Sequence, residues 1–217
     1  MGKRVCGVLL CICFMLCLSG CWNYRGLDQL SIVVGTAIDL KKPGGDYSVT
    51  YEVADLSGAE KKSPIKGKLI TSQGKTLFET ARNAKRNQAD KLFFGSARVL
   101  VLSQQVIEER GILPVIEWFL RDGECRETTC VAISREETAQ IILQRPEEMT
   151  EIMSVILSDI ISEDKDISST ALYVELYEIY NRLNSPRKCA VLPALQRVTN
   201  GKETISGVNG VAVVNDK

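Results

Sequence analysis

Eight cysteines and no histidine set the chemistry open to this 217-residue chain. Cys6, Cys11, Cys13, Cys17 and Cys21 crowd its start, along an apolar run that follows Lys3 and Arg4. A short basic opening, an apolar segment from Val5 to Leu18 and small residues at Ser19 and Gly20 read as a secretory signal. The next residue is Cys21, so Leu18-Ser19-Gly20-Cys21 reads as a lipobox. On that reading the Cys21 thiol takes a diacylglyceryl group and a peptidase cuts after Gly20. Residues 1–20 are then a lipoprotein signal peptide and the mature chain begins at an acylated residue. Each buried methylene contributes about 0.8 kcal/mol, and two or three acyl chains hold a protein on a bilayer far longer than one. The expected membrane partner is therefore lipid through Cys21, with the rest of the chain outside the cytoplasm.

Two other readings of this segment fail on physical grounds. A spanning helix requires roughly 20 apolar residues and this run is shorter. A metal cluster of Cys11, Cys13, Cys17 and Cys21 would place thiolates in an apolar helix without a polar second shell. Nor is Met1-Gly2 a myristoylation start, because position 6 is Cys where Ser or Thr is required.

Elsewhere the inventory excludes more than it offers. Without histidine there is no Ser-His-Asp or Cys-His machinery and no ordinary catalytic zinc site. No Gly-rich phosphate loop, Cys-x-x-Cys or catalytic carboxylate pair is present. The acidic cluster Asp159, Glu163, Asp164 and Asp166 lacks the glycine-bearing order of a calcium loop and reads as a solvated helix end. Cys125 and Cys130 are five apart, on opposite faces of any continuous strand, so they could not bond to each other without an intervening turn; with Cys189 they are expected to be free buried thiols in preference to a disulfide to Cys189. The chain is expected to be no enzyme and to hold no metal or cofactor. Lys and Arg total 27 against 27 Asp and Glu, a balance with no electrostatic footprint for nucleic acid.

One charged constellation stands out: Arg121, Asp122, Glu124 and Arg126, in the corner Arg121-Asp122-Gly123-Glu124-Cys125-Arg126. Guanidinium and carboxylate groups there suit charge-assisted hydrogen bonds to a partner subunit. They equally suit an internal ion-pair network that fixes a helix-to-strand turn. Both readings stay open.

The elements that must position this corner follow from periodicity. With 45% hydrophobic and 25% charged residues the mature chain is an ordinary folded protein. Residues 30–40 are rich in β-branched types and 47–56 alternate, so the two predict a hairpin. Residues 57–67 read as a loop and 68–72 as a third strand. A helix is predicted over 76–90, with Leu77, Ala81 and Ala84 inside and Arg82, Lys85 and Arg86 outside; its basic face is read as solvated in preference to a contact with anionic lipid. Residues 91–102 read as a tight loop feeding a buried strand. Ser103 caps the next helix, Gly111 closes it, and Pro114 opens a second one carrying Val115, Ile116, Trp118 and Phe119. After the corner come a strand at 128–134 and helices at 135–144, 147–162 and from Ser168 or Ser169 to Asn184. Two short strands, 189–195 and 205–214, end the chain. The last resembles the first strand of a new unit, and a truncated chain is expected. The class predicted is α+β: mixed sheet packed with amphipathic helices, after the signal peptide.

The lipobox with Cys21-Trp22, the strand Ile32-Val33-Val34-Gly35-Thr36-Ala37-Ile38-Asp39, the Gly74-Lys75-Thr76 lead into a helix, and Trp118-Phe119-Leu120-Arg121-Asp122-Gly123-Glu124-Cys125-Arg126 with Val131-Ala132-Ile133 behind it together resemble the Ger(x)C family. These are spore germination lipoproteins, the C subunits of nutrient germinant receptors. The resemblance implies a lipoprotein on the outer face of the spore inner membrane, assembled with integral-membrane A and B subunits in a receptor that responds to small nutrients. It implies no enzymatic role. It also implies an N-terminal domain over residues 21–200 and, at 201–217, the stub of a C-terminal domain. A competing class, an extracytoplasmic solute-binding lipoprotein, needs a cleft between two full domains, for which the chain is short.

Overall fold

Runs of Val, Ile and Thr become strands here because branched side chains pack well on a pleated, half-buried surface. The computed structural model describes residues 2, 4–7, 30–56, 65–86, 90–146, 149–167, 172–200 and 203–215. Cys21 and the lipobox lie outside them, as do residues 22–29 and most of the predicted loop at 57–67. Residues 31–217 group as one unit.

The strands are β1 (Leu30–Leu40), β2 (Tyr47–Asp55), β3 (Lys66–Gly74), β4 (Lys91–Phe93), β5 (Val99–Leu102), β6 (Cys130–Ser134), β7 (Cys189–Asn200) and β8 (Glu203–Asn215). They form one sheet in the order β3-β2-β1-β5-β6-β7-β8, with β4 beside β1. The pairs β1–β5, β5–β6 and β6–β7 are parallel, while β1–β2, β2–β3 and β7–β8 are antiparallel. The helices are α1 (Leu77–Arg86), α2 (Gln104–Arg110), α3 (Leu113–Arg121), α4 (Gln140–Leu143), α5 (Met153–Ile167) and α6 (Leu176–Leu183). A mixed sheet dressed with helices is the α+β class predicted. Among the described residues no helix is long and apolar enough to cross a membrane.

Both faces of the sheet are covered, as the fully buried β5 run Val99–Leu102 requires. Leu100 and Leu102 belong to one cluster with Val131, Ile133, Val106, Ile116 and Ile179. Val99 and Val101 belong to the other, with Ala132, Ile142, Met153 and Leu157. The first face thus carries α1, α2, α3 and α6, and the second carries α4 and α5. In β1 the pairing slips between Val33 and Gly35, so Val33 shares a cluster with Ile38 and Leu40 despite its odd number. One extra residue in a strand does this.

Local signals set several boundaries where predicted. Ser103 caps α2 by accepting from the Val106 N–H at 3.4 Å, and Gly111 ends it with φ +76°. Pro114 sits in the first turn of α3. The second face differs from the prediction, and the cause is two buried carboxylates. Asp39 on β1 accepts from the N–H groups of Ala139 at 2.6 Å and Gln140 at 3.0 Å. The helix predicted over 135–144 therefore begins only at Gln140. Glu52 on β2 accepts from the N–H groups of Met153 at 2.9 Å and Ser154 at 2.7 Å, and from the Ser154 hydroxyl. The helix predicted over 147–162 accordingly starts at Met153 and runs on to Ile167. On the first face, α6 also starts late: the Val131 N–H bonds to the Val174 carbonyl and Cys130 bridges Glu175, which holds the preceding residues extended beside β6. The segment 205–214, predicted to open a new unit, pairs antiparallel with β7 and forms an edge of the sheet.

Burial raises the pKa of Glu52 above its ordinary 4.5, and hydrogen bonds from Ser154 and Met153 oppose the rise. Burial raises Asp39 from 3.8 in the same way, opposed by Ala139, Gln140 and Ser103. A raised folded value means that the native state holds a proton the unfolded chain has released. Stability from this source is full below the unfolded pKa and declines as pH rises through the folded one. Urea melts over a pH series are expected to show a shallower fall in stability above pH 4.5 for Glu52→Gln than for the parent. Glu52→Ala, which strands two backbone donors and a hydroxyl, is expected to lose about 2–4 kcal/mol in the same assay at neutral pH.

Candidate functional site

The charged corner hangs from α3, and α3 is held by aromatic packing. Trp118 meets Phe119 edge-on at 4.7 Å and Phe94 at 6.1 Å between ring centroids, and Phe94 meets Tyr51 at 5.8 Å. Such pairs add about 0.5–1.5 kcal/mol beyond the area they bury. Val115, Ile116 and Phe119 complete the buried side of the helix. The chain then turns through a ladder of local bonds. The Asp122 N–H reaches the Trp118 carbonyl at 3.2 Å, and the Cys125 N–H reaches the Asp122 carbonyl at 3.0 Å. Thr129 closes the turn, donating its N–H at 3.2 Å and its hydroxyl at 2.9 Å to the Arg126 carbonyl. The first turn of α6 clamps the far side, with the Leu176 N–H on the Thr129 carbonyl at 3.1 Å and the Tyr177 N–H on that of Glu127 at 3.3 Å.

On this fixed backbone the four predicted residues go separate ways. Arg121 keeps 80% of its side chain exposed and, among the described residues, pairs only along its own helix, with Glu117 at 3.1 Å. Asp122 turns inward and accepts from the Glu124 N–H at 3.0 Å. Glu124 makes an ion pair with Lys91 of β4, a partner with no signal in the local sequence. Arg126 is exposed, and its guanidinium makes no hydrogen bond or ion pair among the described residues. The four charged groups do not pair with one another, so Asp122 and Glu124 fasten the turn while the arginines face solvent. Tyr177 and Tyr180, one helical turn apart on the adjoining α6, are also exposed. Arg and Tyr are the residue types that most often dominate binding energy at interfaces.

Burial, reinforced by the Asp122 and Glu124 carboxylates, pushes the Cys125 thiol up to about 12. Burial does the same to Cys130, also to about 12. A thiol so protonated is neither nucleophile nor metal ligand at neutral pH. Cys125, Cys130 and Cys189 are free. Among the described residues no group of three His, Cys, Asp or Glu side chains is placed to hold a metal ion.

The corner is thus an exposed charged turn carried on an α+β domain. Its sequence places it more closely: residues 23–197 match the spore germination protein N-terminal domain, and the chain belongs to that family. It is similar to spore germination protein A3 of Bacillus subtilis (strain 168), 27% identical over 95% of this chain and 55% of that protein. Spore germination protein B3 of the same organism is 27% identical over 58% of this chain and 34% of its own length. Spore germination protein KC, also from that organism, is 19% identical over 88% of this chain and 49% of its own length. The chain thus spans about half or less of each of these three relatives. No solved structure matches it.

Because the arginines lie outside the turn's bonding, Arg121→Ala and Arg126→Ala are expected to change unfolding free energy by less than about 0.5 kcal/mol. Asp122→Ala, which orphans the Glu124 N–H, is expected to lose about 1 kcal/mol. Urea denaturation followed by Trp118 fluorescence separates the two groups.

Proposed function

We propose that this chain is a lipid-anchored subunit of a spore nutrient germinant receptor. It acts in germination by assembling with integral-membrane A and B subunits on the outer face of the spore inner membrane, held there by acyl chains on Cys21. The family match over residues 23–197 carries the reading. Two features support it. The lipobox supplies an anchor without a spanning helix, and the corner offers Arg121 and Arg126 on a rigid turn, where little side-chain ordering remains to oppose binding. The role is that of a non-enzymatic scaffold, which agrees with a chain that has no histidine and with thiols held protonated by burial.

The test is extraction of spore membranes from a spore-forming host in mild detergent, followed by capture through a tag placed after Lys217 and mass spectrometry of what is recovered. The expected result is a diacylated peptide beginning at Cys21 together with two multi-spanning proteins. An unmodified chain recovered alone would overturn both anchor and assembly.

A further inference from the structure

The basic residues of this charge-balanced chain are not spread evenly. Between Ile65 and Arg86 the sequence holds Lys66, Lys68, Lys75, Arg82, Lys85 and Arg86 against one acid, Glu79. That stretch is one structural unit: edge strand β3 and helix α1 packed upon it. Leu77, Thr80 and Ala84 turn α1 inward. Its outward stripe is Phe78, Arg82 and Lys85, at i, i+4 and i+7 and so within an arc of about 60°, with Arg86 beside them. The Arg82 guanidinium lies over the Phe78 ring at 5.6 Å from its centroid. Phe78 is 60% exposed.

The exposed ring stands at the N-terminal end of this stripe of cations, with the Arg82 guanidinium over it. A ring flanked by long basic side chains is the pattern of a surface that rests on anionic headgroups. The ring enters the interfacial layer while the cations meet phosphates, their alkyl stems lying along the apolar boundary. We infer that the outward face of α1, formed by Phe78 with Arg82, Lys85 and Arg86, docks on an anionic lipid bilayer. The inference uses the proposed anchor for proximity only: eight residues lie between Cys21 and Leu30, so the start of β1 in an anchored chain stands no more than about 30 Å from the membrane. Docking would set the orientation of the domain, and with it the direction in which the Arg121 corner looks.

The test is hydroxyl-radical footprinting of the full chain with vesicles of phosphatidylcholine containing about one-third phosphatidylglycerol, and with vesicles of phosphatidylcholine alone. Oxidation of the Phe78 ring is read by mass spectrometry, with Tyr177 and Tyr180 as exposed references on another helix. The expected result is a fall of about threefold or more in Phe78 oxidation on the anionic vesicles only. High salt is expected to reverse it, and the exposed double variant Arg82→Glu, Lys85→Glu to abolish it. A chain that floats with both vesicles and shows equal Phe78 oxidation on each would overturn the docking face while leaving the anchor intact. A chain that floats with neither would overturn both.

Discussion

Two carboxylates in the interior decide where much of this domain goes. A helix begins with backbone N–H groups that its own turns cannot satisfy, and its dipole makes that end receptive to negative charge. In α4 and α5 those donors are answered by Asp39 and Glu52, which stand on neighbouring strands of one sheet face. Burying a carboxylate is expensive, and the raised pKa values of both groups express that penalty. The bonds received in return offset it only where the geometry is complete. Gly35 shows how closely it is built: a Cβ at that position would overlap the Ser154 hydroxyl that bonds Glu52. Arg145 lies near enough to lower the Glu52 pKa and holds Gly67 through its carbonyl at 2.7 Å. Sheet, helix starts and this arginine therefore form one connected polar unit inside the second face.

The first face uses different physics for a different purpose. Its helices are held by aliphatic packing and by the Tyr51-Phe94-Trp118-Phe119 ring cluster, which fixes α3 and the corner that follows. The corner's acids look inward to the turn and its arginines outward. Groups bonded within the domain and groups left exposed thus stand side by side in the sequence. That division leaves Arg121 and Arg126 available to the partner contact proposed above, while Asp122 and Glu124 act within the fold.

What could be read from the sequence was whatever local chemistry decides. The strands of β1 and β2, the Ser103 cap, the Gly111 stop and the Pro114 start depend on residues within a few positions of one another, and they fall where propensity and capping rules put them. The starts of α4 and α5 do not, because their caps come from residues 100 or more positions away in the chain. A window that sees only Arg135–Gln144 finds a helical pattern and has no means of sensing Asp39. The pairing of β8 with β7 was out of reach for a related reason, since which strands pair is decided across space. At the corner the charged residues were evident from their types, but the Lys91 partner and the exposure of Tyr177 and Tyr180 required the fold.

On the proposed function, Arg121 and Arg126 serve assembly and not the fold. The most direct measurement is capture of the Arg121→Ala, Arg126→Ala double variant from detergent-extracted spore membranes, with the multi-spanning proteins that accompany it quantified against the parent chain. The account predicts a variant present at parental level, with its acyl anchor in place, that brings down at most about a tenth as much of those proteins. Recovery of the same proteins in undiminished amount would contradict it and assign the contact to another surface.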